Sequence, residues 1–238
     1  MYSEVDLTAG GQYVAEQFLF AAANQERAAL GLPALHLNEA LSQASAQHAA
    51  QMAEHEDISH QFANEPDLEE RGASTGSRFS MIAENVGEAP SSIIIHNLWM
   101  NSPPHRANLL DPEVNSIGIA VVERDGEFYA VEDFASTVEP LTFAEQESTV
   151  GKMLASSGMN VGDAFALARI TCAMPSGYAG ARRPSYIVRY TAATLTDLPE
   201  ALKTRLSSGK YHQAAVGACA DSRKTAFTAY NIAVLLYP

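Results

Sequence analysis

Three short stretches each set a titratable side chain between apolar neighbours: Ile58-Ser59-His60-Gln61-Phe62, Ile82-Ala83-Glu84-Asn85-Val86 and Pro103-Pro104-His105-Arg106. An imidazole changes charge near neutral pH, and a carboxylate can take up or release a proton beside it. Two such histidines and one acid, once gathered, can anchor a polar ligand, move a proton or hold a metal. Six of the seven histidines lie in the first half of the chain, which makes metal binding the first chemistry to test. The bland alternative is a hydrogen-bonded core imidazole, and that is the reading for His48, on the inner face of a helix. His36, His55, His96 and His212 stand in no motif, and Asn85 and Arg106 are expected to be scaffold around the cleft.

Two look-alike motifs fail on their surroundings. His55-Glu56-Asp57-Ile58-Ser59-His60 resembles a zinc-protease helix, but its imidazoles are five residues apart, whereas one helical face presents two ligands four apart. Gly72-Ala73-Ser74-Thr75-Gly76 matches a nucleophile elbow, which needs a strand before the serine and a helix after it. Here the segment follows a short charged helix and reads as a loop.

The elements that must position the three polar stretches follow from periodicity. Val14, Phe18, Ala21, Ala22 and Ala29 give a helix over Gln12 to Leu30, stopped by Gly31 and Pro33. Asn38 caps a second helix that presents Leu41, Ala44, Ser45, His48 and Met52 on one face and ends near His55. A short acidic helix runs from Pro66 to Arg71, a strand from Met81 to Gly87, and a helix from Ser91 to Met100. Asn115 to Val122 and Glu127 to Phe134 form a hairpin around Asp125-Gly126. After Pro140 the chain reads as small residues over Leu154 to Gly162, a strand-like Asp163 to Ala173, and a Gly-Pro-rich loop from Pro175 to Pro184. Ser185 to Tyr190 is then a strand, Leu198 to Leu206 a helix, and Gln213 to Ala218 and Phe227 to Leu236 two more strands. The fold class is α+β with helices packed on sheet faces. Residues 1–139 form one domain and 140–238 a smaller accessory α+β domain of unknown type, with no legible internal repeat.

The order of motifs is more specific than any one of them. Asn24 to Leu35 (N-Q-E-R-A-A-L-G-L-P-A-L), then Leu41, Ala44 and His48 to Met52, I-S-H, A-E-N-V-G, L-W-M-N-S-P-P-H-R-A-N-L-L and N-S-I-G-I-A-V together resemble the bacterial branch of the CAP superfamily. That superfamily contains cysteine-rich secretory proteins, antigen 5 allergens and plant pathogenesis-related proteins. The resemblance implies a three-layer α-β-α sandwich with a surface cleft in which two histidines and two acids face each other. By position these are His60, Glu84 and His105, while Ser102 stands where the second acid is expected. Glu88, four residues after Glu84 and on the same face of an extended strand, is the candidate stand-in. His60 and His105 are then the metal ligands to test, with zinc the most suitable divalent ion and an open position for water. Two functions are carried forward: a module binding a small lipid-like, glycan or peptide ligand in the His/Glu-lined cleft, or a peptidase-like hydrolase with Glu84 as general base.

Composition narrows the setting. No apolar run approaches the about 20 residues of a membrane-spanning helix, so no transmembrane segment is expected. Residues 1–140 carry 22 acids and 5 arginines with no lysine, and residues 141–238 carry 6 acids and 10 basic residues. An acidic first half excludes nucleic acid as a partner, and the basic second half suits docking onto it within the chain. The first residues, MYSEVDLTAGGQ, have neither basic nor apolar leader character. Secretion or periplasmic location is therefore expected on the premise of a removed signal peptide. A disulfide between Cys172 and Cys219 competes with two buried thiols and requires an oxidising compartment.

Overall fold

The computed structural model describes residues 7–220 and 226–238. The leader reading of residues 1–6 lies outside them. The chain divides into two compact units, Met1–Thr137 and Val138–Pro238.

The first unit runs α1 (Leu7–Ala29), β1 (His36–Leu37), α2 (Glu39–His55), α3 (Leu68–Ser74), β2 (Phe79–Ala89), α4 (Ser92–Asn101), α5 (Pro103–Leu109), β3 (Ser116–Arg124) and β4 (Glu127–Thr137). Local chemistry sets most boundaries. The Asn38 side chain accepts from the Leu41 N–H and starts α2, and Glu56, in the left-handed region, ends it. Ser91 caps α4 in the same way, and Pro103 opens α5. Asp125 and Gly126 both have positive φ, the requirement of a tight two-residue hairpin turn, and Arg124 pairs with Glu127 across it. The segment 72–74, expected as loop, is the last turn of α3. The helix α5 and the two-residue strand β1 were not anticipated. Both are too short for periodicity to declare them.

The sheet order is β1-β3-β4-β2, with β1 parallel to β3 and the other pairs antiparallel. Alternation along the central hairpin splits the core. Ile117, Ile119, Val121, Ala130 and Phe134 pack with Leu19 of α1 and with Ile95 and Trp99 of α4. Ala120 and Val131 point the other way, to Ala49, Met52 and Ala53 of α2. Helices thus cover both faces, which is the three-layer α-β-α sandwich expected. Arg27 of α1 is fully buried and donates to the carbonyls of Pro33, Leu109, Asp111 and Val114. It fixes the end of α5, and with it the place of His105.

The second unit runs α6 (Phe143–Ser156), β5 (Asn160–Val161), α7 (Phe165–Ala173), β6 (Tyr186–Ala192), α8 (Glu200–Leu206), β7 (Gln213–Cys219) and β8 (Tyr230–Tyr237). The strand expected over Asp163 to Ala173 is a helix. Its β-branched Ile170 and Thr171 suggest a strand, but Ala168 fits the helix closely against Gly217, and the Thr171 hydroxyl bonds the Leu167 carbonyl one turn back. A signal for α6 was present in Thr142 and Glu145, which form a reciprocal capping box.

The sheet of this unit has the order β5-β7-β8-β6, with β5 parallel to β7 and the rest antiparallel. That is the topology of the first sheet, strand for strand. Its helices fall alike: α7 lies over Ala215, Ala233 and Leu235 on one face, while Val150 and Leu154 of α6 and Leu202 of α8 pack on Val216, Val234 and Leu236 on the other. No sequence repeat announces this, because the repeat lies in connectivity rather than in residue identity.

A glycine marks the helix crossing in both units. A Cβ on Gly118 would sit 2.3 Å from the Leu41 carbonyl carbon of α2, and one on Gly217 would sit 2.1 Å from that of Ala168 in α7. Both obstacles are backbone and cannot swing aside. Gly118→Ala should therefore destabilise the first unit by about 1–3 kcal/mol. A urea titration followed by fluorescence of Trp99, the single tryptophan, would show it; an unchanged midpoint would mean that α2 shifts freely.

Candidate functional site

The loop after α2, the middle of β2 and the first turn of α5 bring His60, Glu84 and His105 toward one another. Glu84 is 5% exposed, and one of its oxygens accepts from His60 Nδ1 at 2.8 Å. The His60 side chain itself is 63% exposed, so its second nitrogen faces outward. That hydrogen bond, ahead of opposing burial, raises the His60 pKa above the usual imidazole value. Burial, and then the nearby charge of His60, lowers that of His105. Of the two imidazoles, His60 is thus favoured in its charged form and His105 in its neutral form.

Behind Glu84 lies a ring of polar and charged side chains drawn from α2, the loop after it and α3. Arg71 of α3 is 2% exposed, donates to the other Glu84 oxygen, and donates from Nη1 to the carbonyls of His60 and Pro66. Its guanidinium also lies 3.8 Å from Glu65. Glu65 bonds His48 Nδ1 at 2.7 Å, and His48 Nε2 lies 3.8 Å from Glu84 while donating to the Ser59 carbonyl. His48, Glu65, Arg71 and Glu84 therefore join in a closed, buried circuit of hydrogen bonds and close polar contacts. His48 is the core histidine expected, and the circuit fixes the loop that presents His60.

Two further acids interrupt the apolar run of β4. Asp133 pairs with Glu84 across the ladder and accepts from the Ser45 hydroxyl at 2.7 Å. Burial, then the charge of Glu84, pushes its pKa up. Glu132 points to the opposite face, beside Asn85. The Asn85 amide donates to the His105 carbonyl, and burial, opposed only by the neighbouring Asn85 side chain, raises the Glu132 pKa to about 8. Asn108 completes this side, donating to the Glu84 carbonyl and to Asn85 Oδ1. Two adjacent acids in mid-strand, Val131-Glu132-Asp133-Phe134, were the available signal.

The raised Glu132 pKa has a stability consequence. Its folded value lies above its unfolded value, so the folded state holds a proton that the unfolded state releases between about pH 4.5 and 8. Stability from this group is fully present below that window and falls by about 1.4 kcal/mol per pH unit until pH passes 8. Glu132→Gln should remove that slope, raising the unfolding midpoint at pH 8 and matching the parent at pH 4.5. Trp99-monitored urea melts at both pH values check this, and equal gains at both would refute it.

The remaining expected site residues stand apart. Glu88 shares the face of Glu84 but lies about 13 Å along the strand at the usual rise, where it accepts from the Tyr129 hydroxyl. Ser102 joins α4 to α5 through its backbone, its N–H donating to the Trp99 carbonyl, and its side chain caps nothing. Neither supplies the second acid; the carboxyl paired with Glu84 is that of Asp133. Arg106 lies in a separate groove, with Met100, Leu110 and Asp111.

A divalent ion on His60 and His105 would need Glu84 as its third ligand. Both Glu84 oxygens are engaged, one by His60 and one by Arg71, and a buried guanidinium in the cluster repels a dication. Among the described residues no group of three or more His, Cys, Asp and Glu is arranged to hold a metal. The donor set does not fit zinc.

Among the described residues of the second unit this chemistry has no counterpart. When the sheets are matched on the glycine that meets the helix, Gly217 and Arg189 both pair with Ala233, as Gly118 and Glu84 both pair with Asp133. Arg189 holds the place of Glu84, and its guanidinium donates to the Thr171 and Gly177 carbonyls. Cys172 of α7 and Cys219 of β7 form a disulfide there, with Cα atoms 5.7 Å apart.

Comparisons with known proteins bear on the first unit. A model of the cysteine-rich secretory protein family matches residues 20–135. Among solved structures, an extracellular protein containing an SCP domain from Bacillus anthracis aligns with a TM-score of 0.52 at 20% identity, over 57% of this chain and 44% of that one. The match spans less than half the length of that protein. An outer surface protein of Borrelia burgdorferi aligns with a TM-score of 0.49 at 20% identity, over 58% of this chain and 99% of that one. A cysteine-rich secretory protein of Staphylococcus aureus gives 0.44 at 23% identity, over 52% and 39%. No curated protein matches the chain.

Proposed function

We propose, from the match of residues 20–135 to the cysteine-rich secretory protein family model, that the chain is exported and binds a small lipid-like, glycan or peptide ligand in a cleft of that unit. His60 and His105 are its polar anchors, and no metal takes part. The observation that carries this reading is the saturation of Glu84, both of whose oxygens are held by His60 and Arg71. A carboxylate so engaged orients an imidazole but cannot itself take a proton from water. The groups free to meet a ligand are the imidazoles. Among the described residues no hydroxyl or thiol is hydrogen-bonded to either ring, so no positioned nucleophile accompanies them. Export is supported by the disulfide and by the extracellular description of the Bacillus protein. No helix among the described residues is long and apolar enough to cross a membrane.

The hydrolase reading keeps one supporting observation. A carboxylate-oriented, exposed imidazole is also the arrangement of a general base, and the base would then be His60, with Glu84 holding its tautomer. One experiment separates the readings. The full chain and a His60→Ala/His105→Ala variant would be incubated with a fluorescent fatty acid, a chitin oligosaccharide and a fluorogenic peptide mixture, each with zinc or with chelator. Binding of one class without turnover, weakened at least about tenfold in the variant and indifferent to zinc, is expected. Turnover lost in the variant would replace binding with hydrolysis, zinc dependence would restore the metal, and no binding at all would overturn the proposal.

A further inference from the structure

A cavity of about 300 Å³ opens in the second unit, where the first turn of α7 and the loop before β6 meet the ends of β7 and β8. Its size falls at the lower end of ordinary small-ligand sites. Ala215 and Leu235 of the sheet and Leu167 of α7 give it an apolar floor and wall. The site already described has no counterpart at this place, since Arg189, at the position of Glu84, is absent from the cavity wall.

Two charged side chains of opposite sign line this one space, Asp163 and Arg182. Among the described residues they make no ion pair with each other. Arg182 is instead held from the side: its Nη1 donates to Gln213 Oε1 at 2.8 Å and its guanidinium stacks 4.3 Å over the Tyr237 ring. A guanidinium fixed in this way keeps its remaining donors in one plane for a carboxylate. The loop is pinned as well, with the Ala179 N–H donating to the Thr171 hydroxyl. Gly180 has a φ of +105°, and a Cβ there would come within 2.9 Å of Leu167 Cδ1. A larger residue would be strained and would press on the cavity wall.

We infer that this cavity binds a small zwitterion of amino-acid to dipeptide size, its carboxylate on Arg182, its ammonium group toward Asp163 and its side chains on the Ala215–Leu235 floor. Opposite charges that line one cavity over an apolar floor without pairing match a molecule whose own charges are separated by a short apolar body. A simple anion would meet Asp163 unpaired, and a simple cation would meet Arg182.

Calorimetric titration of the full disulfide-bonded chain tests this with alanyl-alanine, its N-acetyl form and its C-terminal amide as probes. The free dipeptide should bind, and each blocked form should bind at least about tenfold more weakly, the loss of one charge-assisted contact. Arg182→Gln, an exposed substitution that spares the core, should weaken the free dipeptide by a similar factor. Gly180→Val, checked for folding by circular dichroism, should reduce binding further. No binding at millimolar dipeptide, equal binding of free and blocked forms, or full affinity in Arg182→Gln would each overturn the assignment.

Discussion

Arg71→Met should cost the first unit about 3–5 kcal/mol, the penalty for leaving buried charge without its partner. Arg71 neutralises two carboxylates at once, Glu84 directly and Glu65 at 3.8 Å. Its removal leaves both, nearly buried, with only their histidine and backbone partners. The loss should be visible as a large fall in the urea midpoint of the Trp99 signal. The double variant Arg71→Met/Glu84→Gln should recover part of it, because the stranded charge goes as well. A loss under about 1 kcal/mol, the usual worth of an exposed pair, would show that the circuit is hydrated and does not hold the loop.

Breaking the disulfide should be nearly as costly, but to the other unit. Cys172 and Cys219 are 47 residues apart, and closing a loop of that length restrains the unfolded chain by about 4 kcal/mol in the chain-entropy account. Because Trp99 belongs to the first unit, its fluorescence transition should stay in place on reduction. The transition seen by circular dichroism in the second unit should move to lower urea. Cys172→Ala/Cys219→Ala should reproduce the shift without reductant. Two alkylatable thiols in native, unreduced protein would contradict the bond itself.

The parts of the fold that were legible in sequence are those with a local chemical signature. Asn38 and Asp125-Gly126 each dictate a cap or a turn through their own backbone neighbours, and the structure uses them so; Ser91, expected as the first residue of its helix, is instead the cap before it. The helix over Phe165–Ala173 was not legible, because the determining fact is the bare surface of Gly217, 44 to 52 residues further along the chain. The site divides in the same way. His60, Glu84 and His105 announce themselves by polar chemistry in apolar sequence, whereas Arg71 and Glu65 look like members of a charged surface helix and its approach. Only the three-dimensional return of that segment to β2 shows that they are buried. Period two puts Glu88 on the face of Glu84, but the same geometry carries it about 13 Å along the strand, opposite Tyr129 rather than Asp133.

The shared topology of the two sheets also sets an order of events. In each, the two central strands, β3-β4 and β7-β8, are the last to leave the ribosome, while the edge strands are made first and have nothing to pair with. His36 must wait for Ser116, and Asn160 for Gln213. Neither unit can form its sheet progressively during synthesis; each must remain open until its final hairpin arrives and then close around it. A chain shortened by its last strand would lose the middle of a sheet rather than its margin.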